Sequence, residues 1–500
     1  MLIKHTATVS FITLISRILG YIRDVIVAAT LGAGLYNDLL IVALRTPNLF
    51  RSIFGEGAFS ASFVPIYSSI LCTNGQKAAQ NFARLSQTIL CIAILIFCTL
   101  LYISMPVFVK ITVPGFTDPK VIELAITLSR ITTPYLAMIS LVALYGSVLN
   151  SHNKYFAFAA APIILNISMI IIATQSVSKE EQVFALSQGI LIAGVFEMLW
   201  MLYFLKRNGL LFFFCSLKVT NEVRALMRRM IPGLIGAGVT QINIVINSTI
   251  ASFIPHAMSY LYYADRIYQL PLGLLGTAVG VVILPVLSKA FKLTNMREAM
   301  AIQNRAIELL LALSIPASAA LFVLSFEIIR VLFEYGSFTR IATTQTAVAL
   351  QALSIGLPAS ILIKVFVSSF HASTDTKTPV KIAGLCIVSN AMFSLLLMHT
   401  YQQAGIAFAG TISAWLNLVC LYYKLQKSGY FKFDVSMVRK ILKYVLNTIV
   451  MVSVMLLTKT MLKTHNIYLQ LTILCGLGGV SYVTMCCITG VVTVKDLKNP

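Results

Sequence analysis

The sequence predicts an all-α polytopic membrane protein of fourteen transmembrane helices, arranged as two parallel six-helix repeats followed by two C-terminal helices. Three observations carry this. Of 500 residues, 58% are hydrophobic and 11% are charged, whereas a soluble domain carries about 25% charged residues. Apolar runs of about 20 residues recur along the whole chain, a length that helices need and barrel strands do not. Short motifs also return in the same order roughly 220 residues later.

The apolar cores fall at 6–30, 37–71, 86–111, 121–149, 155–174, 183–205, 226–252, 257–288, 300–325, 341–370, 379–399, 405–425, 438–458 and 467–490. The first resembles a signal peptide only at its start. Arg17 interrupts it and apolar sequence resumes after Asp24, so a retained first span is expected. Span two runs about 34 residues, or about 51 Å as a helix, too long for a hydrocarbon core of about 30 Å. Pro47, Gly55, Gly57 and Pro65 interrupt it, and Pro271, Gly273, Gly276, Gly280 and Pro285 interrupt span eight. Broken helices at equivalent places in two repeats point to a transporter's central site. Kinked helices with no site are the other reading.

The repeat rests on several matches. FVPIYSS at 63–69 parallels ILPVLSK at 283–289, and YNDL at 36–39 parallels YADR at 263–266. Pro47 pairs with Pro271, Lys154 with Lys377 and Asn166 with Asn390. Six spans per repeat return the chain to its starting side, so the repeats are parallel. The expected division is a lobe at 1–210, a lobe at 211–430 and an extension at 431–500.

Net charge is +21. Placing both termini in the cytoplasm puts 24 of the 38 basic residues in cytoplasmic segments and eight in the opposite loops, as the positive-inside rule requires. No aromatic–basic RNA motif or helix-turn-helix stands out, so nucleic acid is not an expected partner. The nine cysteines are scattered without a CxxC pair, which supports neither disulfides nor zinc. No HExxH, Walker A or strand-linked GxGxxG is present.

Six basic residues lie at membrane depth: Arg17, Arg23, Arg45, Arg51, Arg266 and Lys364. The acids beside them are Asp24, Asp38, Glu56 and Asp265. A charge at the bilayer centre costs roughly 2.5–3.5 kcal/mol on insertion scales, so these groups must face one another, water or a ligand. Arg17 and Asp24 share a helical stripe, with Gly20 between them leaving room for a neighbour's side chain. Arg23 points about 120° away from Arg17, so one arginine pairs with Asp24 while the other faces a cavity. Asp38 and Arg45 share a face of span two. Counted together the cluster keeps an excess of guanidinium, whose planar fork fits phosphate oxygens. An anionic, phosphate-bearing ligand in a central cavity is the sharp expectation; interhelical salt bridges are the alternative.

These residues resemble a known family. SRILGYIRD at 16–24, PNLFRSIFGEGAFSASFVP at 47–65, YYADRIYQLPLGLLG at 262–276, FEYGSFT at 333–339 and TDTKTPVKIA at 374–383 are similar to the MurJ (MviN) lipid II flippases. That family belongs to the multidrug/oligosaccharidyl-lipid/polysaccharide exporter superfamily. The resemblance implies two six-helix lobes around a cationic cavity. It also implies movement of the undecaprenyl-diphosphate-linked peptidoglycan precursor, lipid II, from the inner to the outer leaflet of the bacterial inner membrane. Carried over by motif, the substrate-binding residues are Arg17, Arg23, Arg51, Arg266, Asp38, Ser16, Asn48 and Glu56. Asp24, Asp265 and Arg45 are supporting ion pairs, and the last two helices form a groove for the polyprenyl tail.

The chain departs from the family at Gln269, where members often have an acid. Some members bind sodium through spans seven, eleven and twelve. Asn243, Asn247, Asn390 and Ser394 supply no carboxylate there, which speaks against sodium, and no other cofactor or metal is expected. The expected protein is therefore a monomeric transporter driven by alternating access and the membrane potential, with lipid II and membrane lipids as partners. It has no catalytic residues. An exporter of another lipid-linked oligosaccharide is the nearest rival, and a membrane enzyme acting on polyprenyl-phosphate lipids a more distant one.

Overall fold

The computed structural model describes residues 2–51, 59–175, 177–216, 220–293, 296–462 and 466–491. The described residues are helical, with no strand among them. The first eight helices are α1 (Leu2–Leu31), α2 (Leu35–Phe50), α3 (Phe59–Thr112), α4 (Pro119–Thr132), α5 (Tyr135–Ser151), α6 (Phe156–Ala173), α7 (Lys179–Arg207) and α8 (Asn221–Ala251). They are followed by α9 (Ala257–Ala278), α10 (Leu284–Lys292), α11 (Met296–Val323), α12 (Ser325–Phe333), α13 (Arg340–Ser354), α14 (Leu357–Ala372), α15 (Lys377–Lys427), α16 (Val435–Met461) and α17 (Ile467–Ile488). Among the described residues, eight helical stretches are long and apolar enough to cross a bilayer, and α13 with α14 makes a ninth, bent by 43° at its break. Exposed Leu95, Ile103, Ile111, Val388 and Leu396 are what a lipid-facing surface carries.

Apart from 52–58, which lie outside the described residues, the fourteen expected cores fall on these helices and the short joins between them. Spans two and three meet inside α3 at Gly75, whose φ of 81° turns the chain. Spans eleven and twelve meet inside α15 at Gln402. Of the residues expected to break spans two and eight, Gly280 lies at a break, whereas Pro47 and Pro271 do not interrupt their helices. α2 runs through Pro47 to Phe50, and α9 runs through Pro271 to a π-turn at Val279–Ile283. Gly55 and Gly57 lie outside the described residues.

A proline inside a helix removes the N–H that would bond the carbonyl four residues earlier. With no water in the hydrocarbon, that carbonyl needs another donor. Pro47 frees Ala43, which accepts the Thr132 hydroxyl at 2.7 Å. Pro106 frees Tyr102, which accepts from Arg130 Nε at 3.2 Å. Pro316 frees Ala312, which accepts the Tyr482 hydroxyl at 2.6 Å. Each donor comes from a neighbouring helix, so the proline becomes a point of attachment and the helix continues.

The chain divides into two compact units. The first comprises Met1–His256 with Tyr335–Phe338, the second Ala257–Glu334 with Thr339–Pro500. In the first, α6 packs on α1 and α7, α5 on α3 and α7, α2 on α4 and α7, and α8 on α3. The seventh span therefore joins the first unit, and compactness divides the chain later than the repeat does. The 335–338 turn sits on the end of α1, where Ser337 N–H donates to Ala29 O at 2.7 Å. Gly32 has φ +75° there, and a Cβ would lie 2.5 Å from the Ser337 carbonyl, so only glycine fits.

In the second unit, α13 packs on α9 and α15, α14 on α11 and α15, and α16 on α11 and α17. The C-terminal pair is pinned to its unit at three points. Lys440 Nζ lies 2.7 Å from Glu308, Lys459 Nζ lies 2.6 Å from Glu327, and Tyr482 makes the bond to Ala312.

Candidate functional site

α1 carries the first cluster. Arg23 folds onto its neighbour Asp24, with Nε at 3.1 Å and Nη2 at 2.7 Å from Oδ1. Its Nη1 donates to Asn166 Oδ1 on α6 at 3.1 Å, and Asn166 Nδ2 donates to the Ser16 carbonyl at 3.1 Å. Gly20 lies against the Asn166 amide: a Cβ there would be 3.6 Å from it, in ordinary contact. The room expected beside Gly20 is thus filled by Asn166. Arg23, and not Arg17, forms the ion pair with Asp24, while Arg17 is exposed.

On α2, Asp38 and Arg45 are both buried on their shared face. Arg45 Nη1 donates to the Thr112 carbonyl at 3.2 Å, which also accepts from Thr249. Asp38 Oδ2 is 4.0 Å from His256 Nδ1. Burial holds the His256 pKa below its ordinary 6.5, so at neutral pH the imidazole is uncharged and this contact is polar, not ionic. Asn48 is exposed, and its carbonyl takes the Arg51 backbone N–H. Glu56 lies outside the described residues.

Ser16 and Arg51 meet in one place. Both line a cavity of about 310 Å³ in the first unit, otherwise walled largely by apolar side chains such as Val142, Phe158 and Pro162. Three further polar residues line it, Thr13, Tyr135 and Glu197, and the Tyr135 hydroxyl donates to Glu197 Oε2 at 3.3 Å. The sequence reading passed over Glu197. The signal was there: a single acid in the apolar span 183–205, at a depth where ionisable side chains are costly and functional.

In the second unit, Arg266 Nη2 donates to the Tyr262 hydroxyl at 2.7 Å, and its guanidinium lies 4.7 Å over that ring. Asp265 accepts from the Gln269 amide one turn later. Gln269 thus serves Asp265 as a donor, which the acid common in the family would not do when ionised. Lys364, on α14, lies against Gly276 of α9, where a Cβ would collide with its side chain. Among the described residues no group of three or more His, Cys, Asp or Glu is arranged to hold a metal.

A family model described as "Lipid II flippase MurJ" matches residues 27–475. The chain belongs to the MurJ family. Similarity to individual MurJ proteins runs over most of the length of both partners. The chain is 40% identical over 422 residues to a probable lipid II flippase MurJ of Rickettsia prowazekii (strain Madrid E), covering 84% of this chain and 83% of that one. It is 38% identical to a probable lipid II flippase MurJ of Rhizobium tropici, covering 90% and 86%. A solved structure of lipid II flippase MurJ in an inward closed conformation superposes with a TM-score of 0.82 at 29% identity, over 96% of this chain and 98% of that one. An inward-facing multidrug transporter of the MATE family shares the fold, with a TM-score of 0.66 at 16% identity over 83% and 95%. The all-helical membrane fold expected from hydropathy is therefore that of MurJ.

Proposed function

We propose that this chain is a lipid II flippase of the bacterial inner membrane, moving the undecaprenyl-diphosphate-linked precursor from the inner to the outer leaflet by alternating access. MurJ relatives matched over most of their length support it. The observation that carries it into the structure is Arg51 on the wall of a cavity beside Ser16. A guanidinium cannot be neutralised there, and its fork matches diphosphate oxygens.

In this reading Arg17, Arg51 and Arg266 engage the diphosphate, as does Arg23 once released from Asp24. The polyprenyl tail stays in lipid, along α16 and α17. The positive-inside bias supports cytoplasmic termini. An inside-negative potential contributes about 2.3 kcal/mol per charge per 100 mV, favouring outward movement of the anionic headgroup. No bond is made or broken, so the chain works as a transporter, and as a monomer.

The test is replacement of the native gene in the host bacterium by Arg17→Glu or Arg266→Glu, with leaflet-resolved measurement of lipid II. The reading expects membrane insertion at normal levels and precursor trapped in the inner leaflet. Normal outer-leaflet delivery by both variants overturns it.

A further inference from the structure

The cavity of the first unit holds a group that gripping a diphosphate does not need, an acid. Glu197 lies within apolar α7 and is 1% exposed, yet its carboxylate lines the same cavity as Ser16 and Arg51. Two neighbours reach it. Tyr135, on α5, donates to Oε2 at 3.3 Å, and Arg51, at the end of α2, acts on it electrostatically. The other described charged groups on helices packed against α7 are engaged elsewhere or, like Arg17 of α1, exposed. Arg23 and Asp24 of α1 bond each other, and Asp38 and Arg45 of α2 turn to His256 and Thr112. Arg130 of α4 bonds Tyr102, while Lys120 and Glu123 are exposed in that helix's first turns. α6 carries no titratable residue.

The walls therefore set one guanidinium against one carboxylate. A diphosphate that engages Arg51 in this cavity comes beside Glu197, and two anions then share a largely apolar space. Like charges so placed drive one of them onto a proton. We propose that Glu197 is a proton acceptor in the substrate cavity: it takes up one proton when the lipid's diphosphate engages Arg51 and gives it back when the diphosphate leaves. This rests on the flippase reading above. The proton comes from hydronium in the cavity water, which becomes H2O, and lands on a Glu197 carboxylate oxygen. No other bond changes, and Tyr135 keeps its proton as donor. The loaded cavity is then one negative charge poorer, and binding is tighter at lower pH.

Isothermal titration calorimetry tests this with undecaprenyl diphosphate and full-length protein in detergent. Buffers of different ionisation enthalpy, taken from mildly acidic to mildly alkaline pH, report the protons exchanged. Wild-type protein should take up close to one proton more per lipid than E197Q, a difference that removes the lipid's own titration. Its affinity should fall by up to about tenfold per pH unit across the uptake window, and that of E197Q should lack this component. Tyr135→Phe removes a donor to the charged carboxylate, so the window should move to higher pH; a merely structural Tyr135 would leave it in place. This variant carries the test if E197Q does not fold. Equal proton exchange by wild type and E197Q, or an unmoved window in Y135F, overturns the Glu197 role and leaves the flippase reading standing. Wild-type protein that binds no lipid at any pH overturns the flippase reading, and this role with it.

Discussion

Tyr482→Phe tests whether a proline-freed carbonyl really depends on a neighbouring helix. Pro316 offers no N–H to Ala312, and the Tyr482 hydroxyl supplies the missing donor at 2.6 Å. Interhelical hydrogen bonds in a membrane average about 0.6 kcal/mol and reach about 1.7. A buried group left without a partner costs about 1–3 kcal/mol. The bond is short and its acceptor has no backbone substitute, so the loss should lie near the top of the first range, about 1.5 kcal/mol. Pro316→Ala restores the helical N–H, and in that background Tyr482→Phe should cost under about 0.5 kcal/mol. The expected coupling is then about 1 kcal/mol, and changes in the unfolded chain cancel in the cycle. Unfolding by SDS in mixed micelles, followed by far-UV circular dichroism, measures all four proteins. If Tyr482→Phe costs as much in the P316A background as in the wild type, the carbonyl does not rely on Tyr482 and the argument fails.

The remaining predictions use the same logic. Asn166→Ala removes an acceptor from Arg23 and a donor from Ser16 O. It should cost about 1–2 kcal/mol in the same SDS titration and be non-additive with Arg23→Lys; full additivity would sever the link. A Cβ at Gly115 would collide with the Ser252 backbone, so Gly115→Ala should destabilise by about 1–3 kcal/mol, read as a lowered Tm. Hydrogen bonds from Thr378, side chain and backbone, and from the Lys377 N–H hold the Asp375 carboxyl below its ordinary 3.8. Its stabilisation of the first turn of α15 is therefore complete above that value and lost as pH falls through the depressed one. The Tm gap between wild type and Asp375→Ala should shrink on acidification, and a gap that widens would contradict the sign. Lys459→Ala leaves Glu327, whose side chain is 5% exposed, without its cation, whereas Lys440→Ala leaves the 24% exposed Glu308. The first should cost about 2 kcal/mol and the second under about 1 kcal/mol in thermal or SDS unfolding, with the reverse order refuting the burial argument.

Hydropathy finds the helices because bilayer thickness sets their length and unsatisfied backbone is excluded from lipid. It does not show how a proline is accommodated. Pro47 and Pro271 read as breaks, yet α2 and α9 continue, and at Pro47 the reason is a threonine 85 residues later in the chain. Gly20 announces a close neighbour but not that the neighbour is Asn166. The stripe shared by Arg17 and Asp24 is real helical geometry, but Arg23 lies close enough to bend its fork back onto the adjacent acid. Glu197 was hidden for a different reason. Its partner Tyr135 is distant in sequence, and a tyrosine in an apolar run carries no mark of what it touches. α12, between spans nine and ten, is too short at nine residues for a hydropathy window to separate from its loop.

The pins on α16 and α17 have a mechanical consequence. Lys440 and Lys459 stand 19 residues apart on one helix, about 29 Å along its axis, and each is tied down, with Tyr482 tying the companion helix. A rod fastened near both ends cannot swing on its own. A long isoprenoid chain resting against it would be carried by the second unit like cargo on a fixed outrigger, so the distance its anchored end travels would be set by that unit's motion.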